Sequence, residues 1–188
     1  MKQNVAHKFG KGLSPRQFVE SMTKNQQDFE AWYEKFVWQD EKDQAFFESL
    51  NDRDDLRVLI LAADWCGDVV RNVPVVFRIL ETAGMKTEVF ILEEHLDLMD
   101  QFLTMGGRSV PIVIFADTSG YVLGQWGPRP EHVQRLMREF KAENPDREAE
   151  DYNSKIAEVR KAMGQAYGEG TESQAVIAQE MRSLISGF

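Results

Sequence analysis

The run Arg57-Val58-Leu59-Ile60-Leu61-Ala62-Ala63 constrains the fold of this chain more than any other stretch. An apolar run of strand length has no polar side to turn toward water, so it reads as a strand covered on both faces. A helical pattern follows it over about residues 66–82, with Val69, Val70, Val73, Val76, Phe77 and Leu80 on a core-facing stripe. A doubly covered strand feeding an amphipathic helix points to an α/β fold, a sheet with helices on both sides.

The neighbouring segments extend that sheet. Residues 87–92 (TEVFIL) read as a second strand, and 96–105 as a short helix closed by Gly106-Gly107. Residues 110–115 (VPIVIF) and 121–126 (YVLGQW) read as third and fourth strands. The turn around Asp117-Thr118-Ser119-Gly120 is short, so these two form an antiparallel hairpin. A helix over 131–140 closes the unit, giving a central mixed sheet of about four strands flanked by helices.

Helical sequence lies on either side. Ser14-Pro15-Arg16-Gln17 carries a capping serine, a proline suited to the first helical position and a glutamine three residues on, which together read as a helix start. Phe18, Met22, Phe29, Trp32, Tyr33 and Phe36 then recur at helical spacing, in two pieces, and Phe46, Phe47 and Leu50 mark a further short helix. Beyond Glu143-Asn144-Pro145-Asp146, helical patterns run over about 147–167 and 172–185, separated by Gly168-Glu169-Gly170. The expected organisation is an N-terminal helical extension over 1–55 packing on the core, an α/β domain over 56–143 and a C-terminal helical extension over 144–188.

Composition narrows the class of partner. A net charge of −9 repels nucleic acid and anionic membrane surfaces. With 43% hydrophobic and 28% charged residues, the chain has enough apolar surface to build a core. The first fifteen residues are basic without the apolar centre of a secretory signal, and no apolar run approaches the roughly 18 residues of a membrane span. A cytoplasmic location is the expectation, with no nucleic-acid or membrane partner.

Chemistry centres on Cys66, the single cysteine. It lies in Trp65-Cys66-Gly67-Asp68-Val69 at the strand–helix junction, with Pro74 eight residues on, Gly107-Arg108-Ser109-Val110-Pro111 before the third strand and Gly127 after the fourth. On these landmarks, residues 56–140 resemble the thioredoxin-like superfamily. The resemblance implies a thioredoxin-like fold, with Cys66 as the reactive thiol and Pro111 as a cis-proline beside it. Trp65, Gly67, Asp68, Val110 and Pro111 are then the residues that contact substrate. Two departures bear on activity. The family's second cysteine is Val69 here, and the buried acid many members carry six residues before the first cysteine is Ile60. Dithiol oxidoreductase chemistry is therefore not expected.

Free backbone N–H groups at a helix start favour a thiolate, which would bring Cys66 below the ordinary thiol value of about 8.5. Asp68 opposes this by charge repulsion. Arg71 and Arg108 would offset Asp68 if they face the sulfur. Three readings of Cys66 remain: monothiol exchange resolved by an external thiol, oxidant sensing through a sulfenic acid, or a small hydrophobe retained for packing. Partners under the first reading are a protein disulfide or a low-molecular-weight thiol. The alternative function is a redox-inactive binding module. Self-association through the acidic end helices, giving a homodimer, is a third expectation.

The remaining candidates carry less. Pro111 also fits a trans proline at a strand start. Trp126-Gly127-Pro128-Arg129-Pro130 reads as a rigid lead into the last helix of the domain, bordering the sulfur site in a minority reading. His7, His95 and His132 are isolated, so no metal is expected, and no glycine pair forms a phosphate loop, so no cofactor is expected either.

Overall fold

The computed structural model describes residues 3–188; the expectations that touch Met1 and Lys2 lie outside the described residues. Strands β1 (Leu56–Ala62), β2 (Thr87–Ile91), β3 (Ile112–Asp117) and β4 (Val122–Trp126) form one sheet in the order β2-β1-β3-β4. β1 pairs parallel with β2 and antiparallel with β3, and β3 pairs antiparallel with β4. The sheet is therefore mixed. Successive β1 residues Val58, Leu59, Ile60 and Leu61 are all buried, so both of its faces are covered.

Eight α-helices surround the sheet among the described residues: α1 (Pro15–Ser21), α2 (Gln26–Glu34), α3 (Glu41–Glu48), α4 (Gly67–Thr82), α5 (Leu96–Met99), α6 (Glu131–Glu143), α7 (Tyr152–Tyr167) and α8 (Glu172–Ile185). The start of α1 is capped reciprocally. Ser14 Oγ accepts from the Gln17 amide at 3.1 Å, and Gln17 Oε1 accepts from the Ser14 amide at 2.8 Å. These bonds satisfy two donors that a helix start or its flank would otherwise leave open.

Three boundaries depart from the sequence expectation. The helix expected over 96–105 stops at Met99: the Gln101 and Phe102 amides bond only three residues back, to Leu98 and Met99, and Thr104 then pairs with Gly107 in an isolated bridge. The helix expected from 147 begins at Tyr152, after a turn in which the Asp146 carboxylate accepts from the Glu148 amide at 3.0 Å. Val110 and Pro111 precede β3 instead of opening it.

The added helices share the main core. Phe29 of α2 meets Phe18 and Phe77 edge to face, and Ile177, Met181 and Ile185 of α8 join the same apolar cluster. A second cluster forms between α6 and α7, around Val133, Met137, Phe140, Tyr152, Met163 and Tyr167. The N-terminal segment also covers sheet edges. Leu13 exchanges two backbone bonds with Val89 of β2, and the Val122 amide of β4 donates to Gln3. Such coverage removes open edges that would otherwise template pairing with other chains. The Val5–Ala6 segment runs so close to the β3–β4 turn that a Cβ on Gly120 (φ +86°) would lie 2.4 Å from the Ala6 nitrogen.

Candidate functional site around Cys66

Cys66 is the N-cap of α4, at the point where β1 ends and the helix begins. It is partly buried. The sulfur donates to the Val110 carbonyl at 3.4 Å, and the Val110–Pro111 peptide is cis. Gly127 closes the far side of this segment. Its φ is +110°, and a Cβ there would lie 2.3 Å from the Pro111 carbonyl oxygen, so only glycine fits. The Gly127–Pro128 peptide is cis as well.

The balance at the sulfur that the sequence leaves open falls on the side of a raised thiol. Burial pushes the Cys66 thiol above its ordinary value, and the Asp68 charge adds to the rise. The Val69 and Asp68 amides and the Arg129 guanidinium act the other way without overcoming it. The helix start does contribute, but removing the sulfur from water outweighs it. The carbonyl facing the sulfur also favours S–H over a thiolate.

The offsetting cation is not one of those expected. Arg108 is exposed and pairs with Asp100 at 2.7 Å. Arg71 lies over the Trp32 ring at 3.7 Å and donates to the Gly168 carbonyl at 2.8 Å. Arg129 takes the role instead. Its Nη2 sits 2.7 Å from Asp68 Oδ2, with the two side chains only 14% and 15% exposed. Arg129 lies in the segment after β4 that was read as a lead into a helix, so its bordering place was a minority reading.

Two further residues complete the network and carried no sequence signal. The Tyr167 hydroxyl donates to Asp68 Oδ1 at 2.8 Å. Buried Asn72, one turn along α4, donates through Nδ2 to the Tyr167 oxygen at 2.8 Å and to the Pro128 carbonyl at 3.2 Å. Burial and the neighbouring Asp68 push the Tyr167 phenol upward, which keeps it a donor. Asp68 and Tyr167 are 99 positions apart, so no local pattern connects them. Asp68 is thus clamped between the segment after β4 and the end of α7.

Cys66, Gly67, Asp68, Val110 and Pro111 come together. Trp65 stands apart, 51% exposed, with its indole N–H donating to Glu93 Oε1 at 2.6 Å. His95 and His132 lie in separate surroundings, the first beside Lys8 and the second beside Ser173. No cluster of three or more potential metal ligands forms among the described residues. No helix of the described residues is long and apolar enough to cross a membrane.

Beside this network lies a cleft of about 470 Å³ between the start of α4 and helices α6 and α7. Gly164 of α7 lines it, and a Cβ there would meet nothing within 4 Å. Gly164→Ala should therefore stabilise the protein by roughly 0.5–1 kcal/mol, the helix-propensity difference. A denaturant midpoint unchanged or lowered would show that α7 needs the glycine.

The comparisons agree with this architecture. The thioredoxin family profile matches residues 12–143, taking in α1–α3 as well as the sheet. A crystal structure of a protein of unknown function from Pseudomonas aeruginosa superposes with a TM-score of 0.62 at 17% identity, over 98% of each chain. An HIV epitope-scaffold gives a TM-score of 0.63 at 17% identity, over 99% of each chain. Both likenesses concern the fold alone. A search of curated proteins finds no match. With the profile spanning most of the chain and the mixed β2-β1-β3-β4 sheet beneath it, this chain belongs to the thioredoxin-like superfamily.

Proposed function

We propose that this protein performs slow monothiol exchange through Cys66, capturing one half of a disulfide as a mixed disulfide that an external thiol must release. The observation that carries this reading is the position of the sulfur. It is partly exposed at the start of α4 and 3.4 Å from the Val110 carbonyl, where an incoming disulfide would lie beside it. In the first step the Cys66 thiolate attacks one sulfur of a disulfide. A new S–S bond forms, the old one breaks, and the departing thiolate takes up a proton. In the second step an external thiolate attacks the captured sulfur, forming the released disulfide and returning the electron pair to Cys66. No second cysteine is present to do this from within.

The raised thiol makes the first step slow in free solution. Holding the partner against the sulfur compensates, because a bound reactant acts at a high effective concentration. The partner under this reading is a protein disulfide or a low-molecular-weight thiol or its disulfide.

The same raised thiol favours a second reading, a binding module that kept the architecture and lost turnover. Alkylation separates the two. Under the exchange reading, iodoacetamide should modify the folded protein more slowly than free cysteine at pH 7, with the rate climbing as pH passes the ordinary thiol value of about 8.5. In parallel, a small disulfide should add one equivalent of its thiol, reversed by an external reductant and absent in Cys66→Ser. No adduct from the folded protein at any pH would leave only the binding module.

A further inference from the structure

The cleft beside the Asp68 network reverses the charge of the molecule around it. In a chain of net charge −9, its lining includes Arg71, Arg129, Lys141 and Arg160, against the single carboxylate of Asp68. That carboxylate is already engaged, by Arg129 on one oxygen and Tyr167 on the other. Among the described residues, no ion pair or side-chain hydrogen bond involves Lys141 or Arg160. Burial, together with the charges of Arg147 and Arg129, pushes the Lys141 ammonium below its ordinary value. Lys141 and Arg160 thus stand at the cleft without a paired carboxylate among the described residues.

Two more features point the same way. Arg129 uses Nη2 on Asp68 and Nη1 on Gln134, leaving its buried Nε–H without a partner. Gly67, the first residue of α4, also lines the cleft, at the positive end of that helix. Beside these cations the lining is apolar, with Met105, Met137, Ile156 and Met163. The volume falls within the 300–1,000 Å³ usual for small-molecule sites.

We propose that this cleft binds a small organic anion, its carboxylate or phosphate held by Arg71, Lys141 and Arg160 and its apolar part against the methionine wall. Together with the exchange reading above, on which this part rests, the species that Cys66 attacks is then the disulfide of an anionic low-molecular-weight thiol, the free thiol serving as the external resolving group. Gly67 and Ser109, which adjoin Cys66 and Val110 in the chain, line the cleft, so a bound molecule has a short reach to the sulfur. A protein disulfide would need no such cleft.

Nitrogen-15 NMR titration of the full chain with inorganic phosphate and, separately, with succinate tests the site. Saturable amide shifts at Gly67 and Gly164 are expected with at least one probe, and the stronger of the two identifies phosphate or carboxylate as the preferred group. Arg160→Gln alone, at an exposed position, and Lys141→Gln with Arg160→Gln together should weaken binding, the double variant by tenfold or more. Arg135→Gln, whose arginine pairs with Glu139 and does not line the cleft, should bind as the parent does. The absence of saturable shifts with either probe, or undiminished affinity in the folded double variant, would overturn the proposal. Cys66→Ser should bind the probes normally. If probes bind but Cys66 forms no adduct, the exchange reading fails and the anion site stands; adducts without probe binding give the reverse.

Discussion

Replacing Arg129 with methionine should destabilise the protein by about 3–5 kcal/mol, the cost typical of stripping one partner from a buried ion pair. Asp68 would be left with Tyr167 as its remaining side-chain partner, in a place where its side chain is 15% exposed. The variant also has a chemical consequence. Arg129 is the cation that pulls the Cys66 thiol downward, so its removal should raise the thiol further and slow alkylation at neutral pH. Asp68→Asn acts in the opposite sense on the sulfur, because the carboxylate is one cause of the rise. Urea unfolding read beside the pH dependence of alkylation checks both effects. Equal stability in Arg129→Met would mean that the carboxylate finds another cation or water.

Phe29→Ala should cost a further 3–5 kcal/mol, the usual range for truncating a buried aromatic ring. Phe29 is 1% exposed and packs edge to face on Phe77 of α4 and on Phe18 of α1. The expected result follows from α1 and α2 being part of the same core as the sheet. If α1–α3 were a loosely attached extension, the main unfolding transition would barely move. A two-state denaturant curve that shifts as one, by fluorescence and by circular dichroism, is the outcome consistent with one core.

Both predictions concern residues that sequence and structure present differently. Phe29 was legible as part of a helical stripe with Trp32, Tyr33 and Phe36, since spacing along one helix repeats every few residues. Arg129 was visible only as part of a rigid segment, because the carboxylate it meets is 61 positions earlier in the chain. Tyr167 was read as the last residue of a helix. Nothing in its surroundings indicated that its hydroxyl would reach the first turn of α4.

The sign of the shift at Cys66 was left open by the sequence and decided by the fold. A cysteine at a helix start carries a local signal for a lowered thiol, and that signal is present in the amides of Val69 and Asp68. Burial depends on what packs over the sulfur, which no local pattern reports. In the folded chain the larger effect is the non-local one.

Periodicity, caps and turn chemistry are short-range properties, and from them alone followed the strand after residue 55, the helix after Cys66, the β3–β4 hairpin and the Ser14 capping box. The landmarks from Trp65 to Gly127 sit at the joints between these elements, so they too could be read in order along the chain. Tertiary structure alone decided which cation faces Asp68, that α7 closes the site with Tyr167, and that four cations gather around one cleft in an acidic protein. Each of those is a meeting of side chains far apart in sequence. Electrostatic energy and desolvation depend on distance through space, which only the packed fold defines.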